Sequence, residues 1–139
     1  MIAIDTNVII AALMSWQEFH GRARAALDKA LLEKRLLLPF PALVESYSVL
    51  TRMPSSHRLA PAVAHQLLHA TLGEVRIAAL PSRKAWQFLG VCEASGTTGG
   101  RVYDALIATI AIDAGAKEIL TFNPRHFESF SDRLRVTIP

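Results

Sequence analysis

Apolar positions recur along the chain in two rhythms, short unbroken runs and runs at helical spacing. Ile2 to Ile4 is a brief β-branched run ending at Asp5, and Val8-Ile9-Ile10-Ala11-Ala12-Leu13 follows at once. This predicts a strand, a sharp turn and a helix capped by Thr6 or Asn7. From about Phe19 to Arg35, Ala23, Ala26, Leu27, Ala30 and Leu31 share one helical face and Arg22, Arg24, Asp28, Lys29 and Glu33 fill the other. Leu36-Leu37-Leu38 before Pro39 is too short for a helix and reads as a buried strand, while Pro41 suits the first turn of a helix running to about Arg52. Met53-Pro54-Ser55-Ser56 breaks that helix, and Pro61 to Leu72 resumes helical spacing up to Gly73. Val75 to Leu80 is strand-like. A helix from about Ser82 to Ala94 then leads to the glycine-rich loop Gly96-Thr97-Thr98-Gly99-Gly100. Val102 to Ala114 is apolar almost all round and ends at Gly115, so it predicts a helix packed on more than one side, and Lys117 to Phe122 and Leu134 to Ile138 are two further strands.

Strands alternating with helices imply βαβ units. The expected fold is α/β, a three-layer α/β/α sandwich with a mostly parallel central sheet of about five strands. A chain of 139 residues has room for one such domain, and 51% hydrophobic with 19% charged residues excludes disordered and coiled-coil classes. No apolar run approaches the roughly 18 residues of a membrane span. Met1 leads straight into Ile2-Ala3-Ile4-Asp5 with no basic or apolar leader, and Cys92 has no second cysteine to pair with, so the cytoplasm is the expected compartment. The net charge is +3, and 11 Arg with 4 Lys make up the 15 basic residues. Arg grips phosphate bidentately where Lys offers a point charge, a bias that suits an anionic partner such as nucleic acid and that genomic codon preference also produces.

In a parallel sheet with right-handed crossovers, strands end and the following helices begin on one edge, where ligands bind. Asp5 ends the first strand, Glu45 lies early in the helix after the second, Asp104 opens the apolar helix and Asn123 follows the strand Lys117 to Phe122. All four fall on that edge. Asp104 is the only charge in the first turns of Val102-Tyr103-Asp104-Ala105-Leu106-Ile107, and a carboxylate beside so much apolar surface needs a partner or a metal. Converging carboxylates repel and raise one another's pKa unless a cation sits among them. Oxygen ligands without Cys or His point to Mg²⁺ or Mn²⁺ rather than Zn²⁺, and such a metal serves phosphodiester hydrolysis. Arg101, Arg125 and His126 stand nearby in sequence to hold phosphate.

At these residues the chain resembles the PIN-domain ribonucleases, and more narrowly the VapC-type toxins of prokaryotic toxin–antitoxin pairs. The resemblance is carried by Asp5-Thr6-Asn7, by Pro41-Ala42-Leu43-Val44-Glu45 followed by Val49-Leu50-Thr51-Arg52, by Val102-Tyr103-Asp104-Ala105 and by Leu120-Thr121-Phe122-Asn123. It implies a single PIN domain over residues 1–139, acting as a Mg²⁺-dependent endoribonuclease held inactive by a small VapB-like antitoxin, and a homodimer. Asp5 and Asp104 would be the main metal ligands, with Glu45 a ligand directly or through water. Asn123 would stand at the fourth acidic position, and Thr6 and Thr121 would be hydroxyls near metal or substrate. Many members carry Asp where this chain has Asn123, which gives up one negative charge.

Each position also has an ordinary reading taken alone: Asp5 as a helix cap, Asp104 as a first-turn dipole partner, Glu45 as a solvated helix residue and Asn123 before Pro124 as a turn. Order and convergence on one edge favour the site. His65 and His69 lack the glutamate of a zinc-protease helix and read as surface residues, Gly96 to Gly100 lacks the Lys-Ser/Thr end of a P-loop, and Cys92, Trp16, Trp86 and Phe127 read as core. Three rivals are a receiver domain, a silent PIN-like module that binds RNA or protein, and a structure-specific DNA nuclease. The receiver fits poorly, because Lys117 begins its strand where a receiver needs a lysine at a strand's end. Apolar positions on the second helix and on Pro61 to Leu72 are the expected dimer surface.

Overall fold

The computed structural model describes residues 1–139. Strand Ile2–Ile4 (β1) is buried throughout and turns directly into helix Thr6–Leu13 (α1). Asp5 itself caps that helix: its backbone is extended and its Oδ1 accepts from the Thr6 N–H at 2.8 Å. The cap expected at Thr6 or Asn7 thus lies earlier, because the carboxylate at the strand end already reaches a free helix N–H.

Helix His20–Leu32 (α2), strand Leu36–Pro39 (β2), helix Phe40–Arg52 (α3) and helix Pro61–Leu72 (α4) follow. Next come strand Arg76–Ala78 (β3), helices Ala85–Ser95 (α5) and Arg101–Asp113 (α6), and strands Glu118–Leu120 (β4) and Arg135–Thr137 (β5). Two 3₁₀ segments complete the chain. Ser82–Lys84 takes the first turn of the helix predicted from Ser82, and Pro124–Phe130 occupies the stretch after Asn123 where a plain turn was expected. Gly115 ends α6 with φ +89°, a left-handed conformation that glycine adopts without steric cost.

The five strands form one sheet in the order β3-β2-β1-β4-β5, and every pairing is parallel. The sandwich expected from the sequence is therefore built on a wholly parallel sheet. Its three inner strands are buried along their whole length, as short apolar runs in a sheet covered on both faces must be. Ile4, Leu37, Leu38 and Ile119 from the sheet, Ile9, Leu27, Leu50 and Ile107 from the helices, and Phe127 from the second 3₁₀ segment are fully buried in one core. β1 is central, with β2 on one side and β4 on the other, so the strand order reverses there. Crevices in such sheets open at that reversal, beyond the strands' C-terminal ends.

Phe127 and Cys92 are buried as expected, whereas Trp86 is 84% exposed and Trp16 is half exposed, its ring stacked on His57 with centroids 4.0 Å apart. The expectation of core positions for both tryptophans fails: α5 buries Phe88 and Cys92 and so turns Trp86 outward, and Trp16 lies in the turn after α1. His65 and His69 lie exposed on α4. The apolar surface is also displaced from the one expected: α2 exposes only Leu32 among its large hydrophobics, and Phe40, Val44 and Tyr47 of α3 join Val63 of α4 instead. No helix is long and apolar enough to cross a membrane.

Candidate active site

Asp5 is the fixed point of the crevice. β1 delivers it to the sheet edge, where its backbone N–H donates to the Leu120 carbonyl at 3.0 Å, so β1 and β4 hold the turn together. Its side chain is 5% exposed. Oδ1 accepts from the Thr6 N–H, and Oδ2 accepts from the Thr121 hydroxyl at 2.7 Å. Burial pushes the Asp5 carboxyl up from 3.8 to about 6, against the pull of those two donors, and the charges of Asp104 and Glu45 add to the rise.

Around it lies an open cleft of about 620 Å³ whose lining includes Asp5, Thr6, Glu45, Arg101, Asp104 and Asn123. Glu45 is exposed at its rim, where its Oε2 accepts from the Thr6 hydroxyl at 3.2 Å. Asp104, in the first turn of α6, faces the cleft from the other side. Its Oδ2 lies 3.0 Å from His126 Nδ1 and 3.6 Å from Arg101 Nε. Burial raises the Asp104 carboxyl too, while His126 and Arg101 draw it down.

The four acidic and amide positions expected on one edge, Asp5, Glu45, Asp104 and Asn123, do line one cleft, together with Thr6 and Arg101. Thr121 and Arg125 do not. Thr121, expected near metal or substrate, is wholly buried behind the cleft, where its hydroxyl donates to Asp5 and positions that carboxylate. Arg125 is exposed beside the cleft, and only its carbonyl meets the site, accepting from Arg101 Nη2 at 3.4 Å. Asn7, a cap candidate by sequence, is a positioning residue. Its Oδ1 accepts from the Phe122 N–H at 3.1 Å and its Nδ2 donates to Thr121 Oγ1 at 3.3 Å, joining α1 to the loop after β4. His126 was legible as a phosphate holder, while its contact with Asp104 depends on the 3₁₀ turn that follows Asn123.

The anionic donors facing the cleft are carboxylate oxygens, which suit a hard divalent cation, and the His126 imidazole is engaged with Asp104. No three acidic, His or Cys side chains stand close enough for a closed metal cluster. One or two of these carboxylates suffice for a divalent cation that keeps several of its waters.

Thr121→Val tests the support of Asp5. Removing a hydroxyl donor from a buried carboxylate is expected to raise the Asp5 pKa beyond 6. It should cost about 2 kcal/mol at pH 8. The cost should shrink below pH 4, where the carboxyl is protonated; urea denaturation at both pH values measures it.

The PIN domain family matches residues 2–132. Ribonuclease VapC40 of Mycobacterium tuberculosis is 38% identical over 141 residues, covering 99% of this chain and 97% of the relative. Ribonuclease VapC27 of the same organism is 35% identical over 129 residues, covering 93% of this chain and 89% of the relative. The chain thus belongs to the PIN-domain family, among its VapC ribonucleases. Solved structures repeat the fold at low identity. VapC20 of Mycobacterium tuberculosis, a sarcin-ricin loop cleaving toxin, has a TM-score of 0.70 at 16% identity, covering 93% of this chain and 95% of that one. DNA-bound VapBC from Salmonella typhimurium gives 0.68 at 22% identity, covering 99% of this chain and 96% of that one.

Proposed function

We propose that the chain is a Mg²⁺-dependent endoribonuclease, the toxin of a VapB/VapC-type pair, acting in the cytoplasm. The observation that carries this reading is the buried Asp5 carboxylate at the strand-order reversal, sharing one open cleft with Glu45 and Asp104 beneath Arg101. Asp5 and Asp104 would hold the metal, and Glu45 would reach it directly or through water. When bound, Mg²⁺ supplies Lewis-acid activation and offsets phosphate charge.

The remaining chemistry falls to the chain's own residues. Thr6 and Thr121 keep Asp5 ionised and oriented through their two hydrogen bonds. Arg101 holds the scissile phosphate over the acidic floor, and the Asn123 amide orients water at the rim. Water attacks phosphorus in line, the P–O bond to the leaving ribose breaks, and no covalent enzyme intermediate forms.

An antitoxin would restrain the enzyme by placing an Arg or Lys of an extended tail against Asp5, Glu45 and Asp104, in competition with metal. The exposed apolar side chains on α3 and α4, including Phe40, Val44 and Tyr47, supply surface for that partner and for a second copy of the chain. Expression in a bacterial host is expected to arrest growth, with Asp5→Ala relieving the arrest. Equal toxicity of Asp5→Ala at equal abundance would refute ribonuclease action as the cause.

A further inference from the structure

Beside the acidic cleft lies a second one of about 470 Å³, and the two meet at Arg101 and His126, which line both. Their chemistry is opposed. The first cleft carries three carboxylates, whereas no Asp or Glu lines the second, whose charged wall is Arg101 and Arg133. Besides His126 its polar side chains are hydroxyls, including Thr97, Thr98 and Ser129, and Phe88 and Phe130 give it an apolar wall. Arg133 is 59% exposed and only loosely paired, 3.9 Å from Asp132, so its guanidinium is free to take an anion. The glycine-rich loop forms one rim. Gly96 and Gly99 hold left-handed φ values of +66° and +59°, and a Cβ at Gly96, Gly99 or Gly100 would meet nothing within 4 Å, which leaves this backbone open to close approach.

We propose that this second cleft binds the RNA strand immediately beside the scissile phosphate, with Arg133 and the Thr98 and Ser129 hydroxyls holding a neighbouring backbone phosphate. The inference rests on the ribonuclease reading and adds to it the path of the strand. Two observations favour a nucleic acid strand over an acidic peptide. The second cleft, with its Arg and hydroxyl side chains beside an apolar wall, shares Arg101 and His126 with the cleft that holds the candidate catalytic carboxylates, and a phosphate spaced one nucleotide from the scissile one must leave that acidic floor for a surface without carboxylates. Phosphate contacts of this kind fix register and strengthen binding without reading sequence.

The test is binding of the full chain to a fluorescent single-stranded RNA in EDTA, where no metal-dependent cleavage consumes the probe, followed by anisotropy over a series of salt concentrations. Arg133→Gln is expected to weaken binding about tenfold and to make the salt dependence shallower by roughly 0.7 in log–log slope, the value for one phosphate contact on a single strand. Thr98→Asp, which puts a carboxylate in the same cleft, should weaken binding at least as much. Lys117→Gln removes the same charge from an exposed position before β4, at the opposite edge of the sheet, and should change affinity less than twofold. Affinity and slope unchanged in both Arg133→Gln and Thr98→Asp would overturn the proposal, as would equal losses in all three variants. So would binding of a polyglutamate peptide that depends on Arg133 while RNA binding does not. Cleavage by the wild-type protein in Mg²⁺ is scored separately: cleavage with unaltered Arg133→Gln binding rejects the strand path alone, and Arg133-dependent binding without cleavage rejects the enzyme alone.

Discussion

Asp5→Asn is expected to lower RNA cleavage about 10³-fold or more while making the metal-free protein more stable at pH 7.5. The two effects share one cause. Asp5 is almost fully buried, and its carboxyl titrates near 6 instead of 3.8. Holding it ionised therefore costs the fold up to about 3 kcal/mol. Below pH 3.8 the group is protonated in folded and unfolded chains alike and the cost is absent; as pH rises through 6 the folded protein bears it in full. Asn removes the charge but leaves one oxygen to accept where the carboxylate accepts from both Thr6 and Thr121, which returns about 1 kcal/mol. A net gain of about 1 to 2 kcal/mol at pH 7.5, vanishing near pH 4, should appear in urea denaturation. A variant that is inactive because it is unfolded would show the opposite sign.

Phe127→Ala is expected to destabilise the protein by about 3 to 5 kcal/mol. Phe127 has no exposed surface and is the largest of the fully buried side chains. It also anchors the 3₁₀ segment Pro124–Phe130, which carries His126 against Asp104 and directly follows Asn123. The variant should thus lose kcat even below its lowered Tm, as the loop after β4 loosens over the cleft. Chemical denaturation gives the stability change, and cleavage rates at low temperature separate it from the catalytic one.

Helices and strands were legible here because each has a local cause. Pro61 and Gly73 bracket α4, Gly115 stops α6, and the apolar runs of β1 and β2 are too short for anything but buried strands. The edge carrying Asp5, Glu45, Asp104 and Asn123 followed from topology alone, since parallel strands end together. What stayed hidden depends on partners far away in sequence. Thr121 was expected near metal or substrate, and only the pairing of β4 with β1 shows that it donates to Asp5, 116 residues earlier. Asn7 reads as a cap until it meets the same loop, 114 residues on. Trp86 reads as core by residue type, and only the packing of α5, which buries Phe88 and Cys92 instead, turns it outward.

If Asp5 and Asp104, with Glu45 directly or through water, hold a divalent metal that supports RNA hydrolysis, cleavage must depend on both the metal and these carboxylates. Purified wild-type and Asp104→Asn proteins are incubated with end-labelled single-stranded RNA and, in parallel, single-stranded DNA, in EDTA, Mg²⁺ or Mn²⁺. Internal cleavage of RNA by the wild type is expected only when metal is added, with none by a folded Asp104→Asn protein. Undiminished cleavage in EDTA or by the variant would contradict the assignment of the site, as would wild-type protein that leaves RNA intact in both metals.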